Sequence, residues 1–148
     1  MEREDTLVHL LGEELRRRLG SEYVVNPNFL SGPLEESFTA RPDLVIRSRY
    51  EPRRVYIVEV KLASRQNFDL PLATAGQTKR ILQANTPQFD PVLILATNAH
   101  VGNVLASELE AQRVEVVQTG EMMNMASDIA DTIRAKERQV ADARVRQH

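Results

Sequence analysis

The chain has 148 residues, 42% of them hydrophobic and 27% charged, which suits one domain with an adequate core rather than two. It contains no cysteine, so disulfide scaffolds and thiolate metal sites are excluded, and no apolar run approaches membrane-spanning length. The formal net charge is only −2, and Met1-Glu2-Arg3-Glu4-Asp5 carries no apolar signal core, so a cytoplasmic protein without membrane association is expected.

Asp5 to Leu19 reads as a helix, because Leu7, Val8, Leu11, Leu15 and Leu19 recur at helical spacing. At 100° per residue Glu14 lies at the edge of that apolar stripe, whereas Glu13 points away from it. Gly20 is a plausible C-cap. Glu22 to Val25 reads as a short strand, and Asn26 to Ala40, with Pro27, Gly32 and Pro33, as a loop running into an irregular strand. Asp43 then opens a strand, Leu44-Val45-Ile46, and a short connection at Glu51-Pro52 makes the next strand its antiparallel neighbour. That next strand contains Val55-Tyr56-Ile57-Val58, the composition of a strand covered on both faces. It closes on Glu59-Val60-Lys61, where the period of two puts Glu59 and Lys61 on one face and Val60 on the other.

Residues 62 to 69 read as a polar loop, and Leu70 to Ala84 as a helix carrying Gln77. Pro91 to Thr97 is a strongly apolar strand, and Asn98 is placed to cap a helix through about Gln112, with His100 in its first turn. Val114 to Val117 reads as a last strand, and the alternation of strands and helices in this half implies crossovers and parallel pairing. Residues 1–120 form the expected core. In 121–148, Met122, Met125, Ala126, Ile129 and Ile133 recur at helical spacing before charge takes over, so a long helix follows, its stripe packed in the core or forming a dimer contact.

Asp43, Glu59 and Lys61 converge if the two strands pair. Mg²⁺ takes hard oxygen ligands, usually one or two carboxylates with waters and phosphate oxygens. Asp43 and Glu59 supply the carboxylates, the Val60 carbonyl adds an oxygen, and Lys61 positions or deprotonates an attacking water or stabilises phosphate charge. Pro42-Asp43 and Glu59-Val60-Lys61, with fifteen residues between the two acids, resemble the PD-(D/E)xK nuclease superfamily. The resemblance covers about residues 5 to 119 and rests on short elements. It implies a restriction-endonuclease-like three-layer α/β/α core around a mixed sheet, and a Mg²⁺-dependent deoxyribonuclease, with Mn²⁺ as a possible substitute. It further implies that Glu14 on the first helix supports the metal and that Gln77 holds a water or phosphate. Cutting both strands of DNA with one site per chain implies a homodimer or higher oligomer.

The charge distribution agrees with a nucleic-acid partner. Residues 47 to 80 hold eight basic and three acidic side chains, while the flanking stretches are both acidic. Arg47, Arg49, Arg53, Arg54, Arg65, Lys79 and Arg80 are therefore candidates for phosphate contact near the metal, or else a solvated sheet edge protected against aggregation. A non-catalytic nucleic-acid-binding module on the same fold, and a nuclease subunit of a larger complex, remain open alternatives.

Overall fold

In a computed structural model, the described residues are 2–27, 43–51, 53–63, 68–86 and 88–146. The chain begins with α1 (Glu2–Leu19), which ends where Gly20 takes a left-handed φ of 75°, a conformation that costs glycine little. A 3₁₀ turn (Gly20–Glu22) leads into β1 (Tyr23–Pro27). Next come β2 (Leu44–Ser48) and β3 (Arg54–Lys61), then α2 (Ala73–Asn85), β4 (Asp90–Thr97), α3 (Asn103–Ala111), β5 (Glu115–Gln118) and α4 (Met122–Arg146). The expected helices and strands that fall on described residues are present, with β1 running on to Pro27, α2 starting at Ala73 rather than Leu70 and α3 at Asn103 rather than beside Asn98, while the loop and irregular strand expected up to Ala40 lie, from residue 28 on, outside the described residues.

The five strands lie in sequence order in one sheet. β1, β2 and β3 pair antiparallel, β2 and β3 across a connection of five residues, and β3, β4 and β5 pair parallel through helical crossovers. Alternation along β3 divides the core in two. Tyr56, Val58 and Val60 pack with Val8, Leu11 and Leu15 of α1 and Met125, Ile129 and Ile133 of α4. Val55 and Ile57 pack on the other face with Ala75 and Ile81 of α2 and Leu105 and Leu109 of α3. Both faces of β3 are covered, which is why its apolar run is unbroken from Val55 to Val58. The result is a three-layer α/β/α fold.

The two ends of α4 do different work. Met125, Ala126, Ile129, Ala130 and Ile133 are buried in the same cluster as α1, so the expected dimer stripe is consumed by the core. Beyond Ile133 the helix is pinned by charge: Lys136 pairs with Glu115 at 2.7 Å, Glu137 with Arg54 at 2.7 Å, and Arg144 with Glu51. Among the described residues, no helix is long and apolar enough to cross a membrane.

Candidate active site

Asp43 and Glu59 meet where β2 and β3 diverge. The paired registers run from Arg47 opposite Val55 to Leu44 opposite Val58, which puts Asp43 one step beyond the ladder and level with Glu59. The backbone N–H of Val60 donates to Asp43 Oδ2 at 2.7 Å, and the N–H of Asp43 donates to Glu59 Oε1 at 3.3 Å. Each acid therefore takes a main-chain donor from the opposite strand, replacing ladder hydrogen bonds that end here. A residue's N–H and C=O point to the same edge of a strand, so the Val60 carbonyl also faces Asp43. Three hard oxygen donors thus stand together, and Glu59 is held there with only 8% of its surface exposed. That donor set suits Mg²⁺ or Mn²⁺, which take one or two carboxylates with carbonyl and water oxygens.

Both acids, and Lys61, lie on the α2 side of the sheet. Asp43 continues the face of Val45, and Glu59 and Lys61 continue that of Val55 and Ile57. The N-terminal turns of α2 lie over this end of the sheet, since Thr74 and Gln77 share a cavity with the last residue of β3. Lys61 and Gln77 line one cavity of about 220 Å³ with Leu62, Phe68, Leu70 and Thr74. The structure accordingly brings Asp43, Glu59 and Val60 together and puts Lys61 and Gln77 on one cavity.

Glu14 lies elsewhere. The face of α1 that meets the start of β2 is that of Gly12, where a Cβ would stand 3.3 Å from Leu44 Cδ2. Glu14 is two residues on, about 200° around the axis from Gly12, and α1 packs on the sheet face opposite Glu59. Its carboxylate pairs with Arg17 and Arg18 of its own helix, and the Arg17 hydrogen bond holds it below the usual carboxylate range. The expectation that Glu14 joins the metal ligands is corrected on these grounds. Among the described residues, no group of three His, Cys, Asp or Glu side chains is placed to share a metal.

The seven basic candidates separate. Arg47 is half-buried with its guanidinium 5.3 Å from the Phe89 ring centre, and burial lowers its pKa. It lies on the same face as Asp43 but four residues along the strand, roughly 13 Å at 3.3 Å per residue. Arg49 donates to the Ser21 carbonyl at 2.6 Å, within the 3₁₀ turn. Arg54 turns to the α1/α4 face and binds Glu137, so its placement as a phosphate contact is corrected too. Arg53, Lys79 and Arg80 are exposed, whereas Arg65, like Pro42 of the Pro-Asp element, falls outside the described residues.

Two polar residues at the end of β4 have partners in the site region that their local sequence does not reveal. Thr97 Oγ1 donates to the Lys61 carbonyl at 2.7 Å and accepts the Ala99 N–H at 2.9 Å. Asn98, expected to cap a helix, instead accepts the Ala63 N–H at 2.6 Å and donates to the Ala63 carbonyl at 3.2 Å. His100, expected in the first turn of α3, instead forms an isolated main-chain β-bridge with Asp69. Together they clamp the chain leaving β3 against the end of β4. Nothing local announces this, because it depends on β3 and β4 being parallel neighbours.

No protein-family model and no curated protein matches the chain. Among solved structures it is similar to a repair endonuclease from Pyrococcus abyssi, at a TM-score of 0.50 and 16% identity, over 75% of this chain and 44% of that one. The chain spans less than half the length of that structure. The likeness is one of fold, and the mixed sheet between helices is consistent with a restriction-endonuclease-like α/β core.

Proposed function

We propose that the protein is a metal-dependent endonuclease that hydrolyses phosphodiester bonds in DNA. The observation that carries this reading is the exchange of main-chain hydrogen bonds between Asp43, Glu59 and Val60 at the end of β3, on the face that presents Lys61. Fold likeness to a repair endonuclease supports it.

Asp43, Glu59 and the Val60 carbonyl would hold Mg²⁺ or Mn²⁺. When bound, such an ion neutralises phosphate charge and lowers the pKa of a water. The chain's own contribution is positional. The Val60 and Asp43 N–H groups orient one oxygen of each carboxylate, which removes the need to order those side chains at the moment of reaction. Lys61 supplies a positive charge on the same face, where it orients a nucleophilic water or stabilises a developing oxyanion on phosphorus. Gln77, which lines the same cavity as Lys61, offers an amide donor and acceptor to the same water or to a phosphate oxygen.

Incubation with supercoiled, branched and single-stranded DNA in Mg²⁺, in Mn²⁺ and in chelator tests the reading. Cleavage that requires the ion and disappears in Asp43→Asn is the expected result; no cleavage of any substrate overturns it. A nuclease subunit that takes its DNA placement from another domain or partner is a second reading. It is favoured by the engagement of Arg47 and Arg54 within the fold, which leaves less basic surface beside the site. If the protein cuts both strands as a homodimer, the contact lies at the sheet edges rather than at the Met125–Ile133 stripe. Light scattering with and without DNA distinguishes a dimer from a monomer.

A further inference from the structure

The cavity beside Lys61 is more than a gap next to charged groups. At about 220 Å³ it exceeds the roughly 150 Å³ that accommodates a benzene ring, and falls short of the roughly 300 Å³ at which sites for whole small molecules begin. It is sized for one ring system that is part of something larger. One wall is apolar: Leu62, Leu70 and Phe68, an aromatic side chain left 36% exposed. The Gln77 amide, which both donates and accepts, lines the same cavity. Lys61 is a lining residue too, so a group filling the cavity lies next to the ammonium proposed to serve the reaction.

The walls are held before anything enters. The Leu70 N–H donates to the His100 carbonyl at 2.9 Å and the His100 N–H to the Phe68 carbonyl at 2.8 Å. Thr97 holds the Lys61 carbonyl from beneath, and the Thr74 N–H donates to the Pro71 carbonyl at 3.0 Å, fixing the start of α2. A preformed cavity lined by an aromatic ring, an amide and an ammonium suits a flat heteroaromatic ring bearing amide-like edges and attached to a phosphate.

Resting on the nuclease reading above, we propose that this cavity receives a single unstacked nucleobase of the substrate strand, next to the phosphodiester that is cut. Phe68 supplies the stacking surface and Gln77 the edge contact. A base in continuous duplex is stacked and paired, and fills the slot only if it is extruded. The substrate class is therefore DNA with an unpaired nucleotide at the cut: a flap, gap, bulge or single strand.

The test uses the full chain in chelator, so that binding is read without cleavage. Two duplexes are compared, one with a single unpaired 2-aminopurine and one fully paired. The wild type binds the unpaired substrate at least tenfold more tightly and quenches its fluorescence. Phe68→Ala, a change at an exposed side chain, removes the quenching and weakens binding to the unpaired substrate about tenfold, while affinity for the paired duplex shifts less than twofold. Phe68→Trp restores both. Equal wild-type affinity for the two duplexes, no binding of either, or a Phe68→Ala protein that binds and quenches like the wild type overturns the proposal. Absence of cleavage in Mg²⁺ would instead count against the nuclease reading and leave these binding results standing.

Discussion

Arg54 in β3 and Glu137 in α4 are 83 residues apart in sequence and 2.7 Å apart in space, with only 12% of the Arg54 side chain exposed. The pair ties the charged half of the last helix to the sheet. It also sits against Tyr56, whose hydroxyl pKa is pushed up first by burial and then by the Glu137 charge. Removing one partner strands the other in a poorly hydrated place. Glu137→Ala is expected to cost about 3 kcal/mol, the lower end of the range for buried pairs, because Glu137 keeps some contact with water. Arg54→Gln is expected to lower stability similarly and to leave the salt dependence of DNA binding unchanged. Urea unfolding and binding titrations at several salt concentrations check the two halves.

Asp43 has a structural duty as well as its proposed catalytic one, because its Oδ2 is the acceptor for the Val60 N–H. Asp43→Ala leaves that buried donor without its partner and is expected to cost about 1–3 kcal/mol. Asp43→Asn retains an acceptor oxygen, so its loss of stability is smaller. Both are expected to reduce cleavage at least about a hundredfold, since the ligand charge is gone in each. Thermal melts beside cleavage rates separate the roles.

The pH dependence follows from two carboxylates. Glu14 is lowered chiefly by its hydrogen bond to Arg17, and Glu51 chiefly by its hydrogen bond to Arg144. A carboxylate with a depressed folded-state pKa contributes its stabilisation above the ordinary value of 4.5 and loses it as the pH falls through the lower folded value. The melting temperature is therefore expected to drop as the pH falls below 4.5. Glu14→Gln and Glu51→Gln are each expected to make that drop shallower. Melts from pH 3 to pH 7 measure it.

Lys79 and Arg80 are exposed on the middle of α2, the helix that starts over the candidate site. If they track phosphates, Lys79→Gln and Arg80→Gln each flatten the slope of log affinity against log salt by about 0.9 on duplex DNA and weaken all sequences alike. Unchanged slopes would make them solvated surface and would shift DNA placement to another domain or partner.

By itself the sequence determined the elements and one pair of neighbours. The helical spacing of Leu11, Leu15 and Leu19, the apolar run through Val55 to Val58 and the turn between β2 and β3 are all local signals, because periodicity and turn chemistry act over a few residues. Two strands joined by a short turn have one sensible register, and that register alone brings Asp43 level with Glu59. What only the tertiary structure decided depends on groups far apart in the chain. Glu14 has the right residue type and a half-buried position, yet α1 covers the other face of the sheet, and which face a helix covers is not written in its own periodicity. Arg54 reads as a surface cation until Glu137 arrives from 83 residues away, and Asn98 as a helix cap until β4 lies parallel to β3 and puts Ala63 beside it. Polar side chains can be satisfied by many partners, and the partner is set by the packing of apolar faces that carry most of the folding free energy.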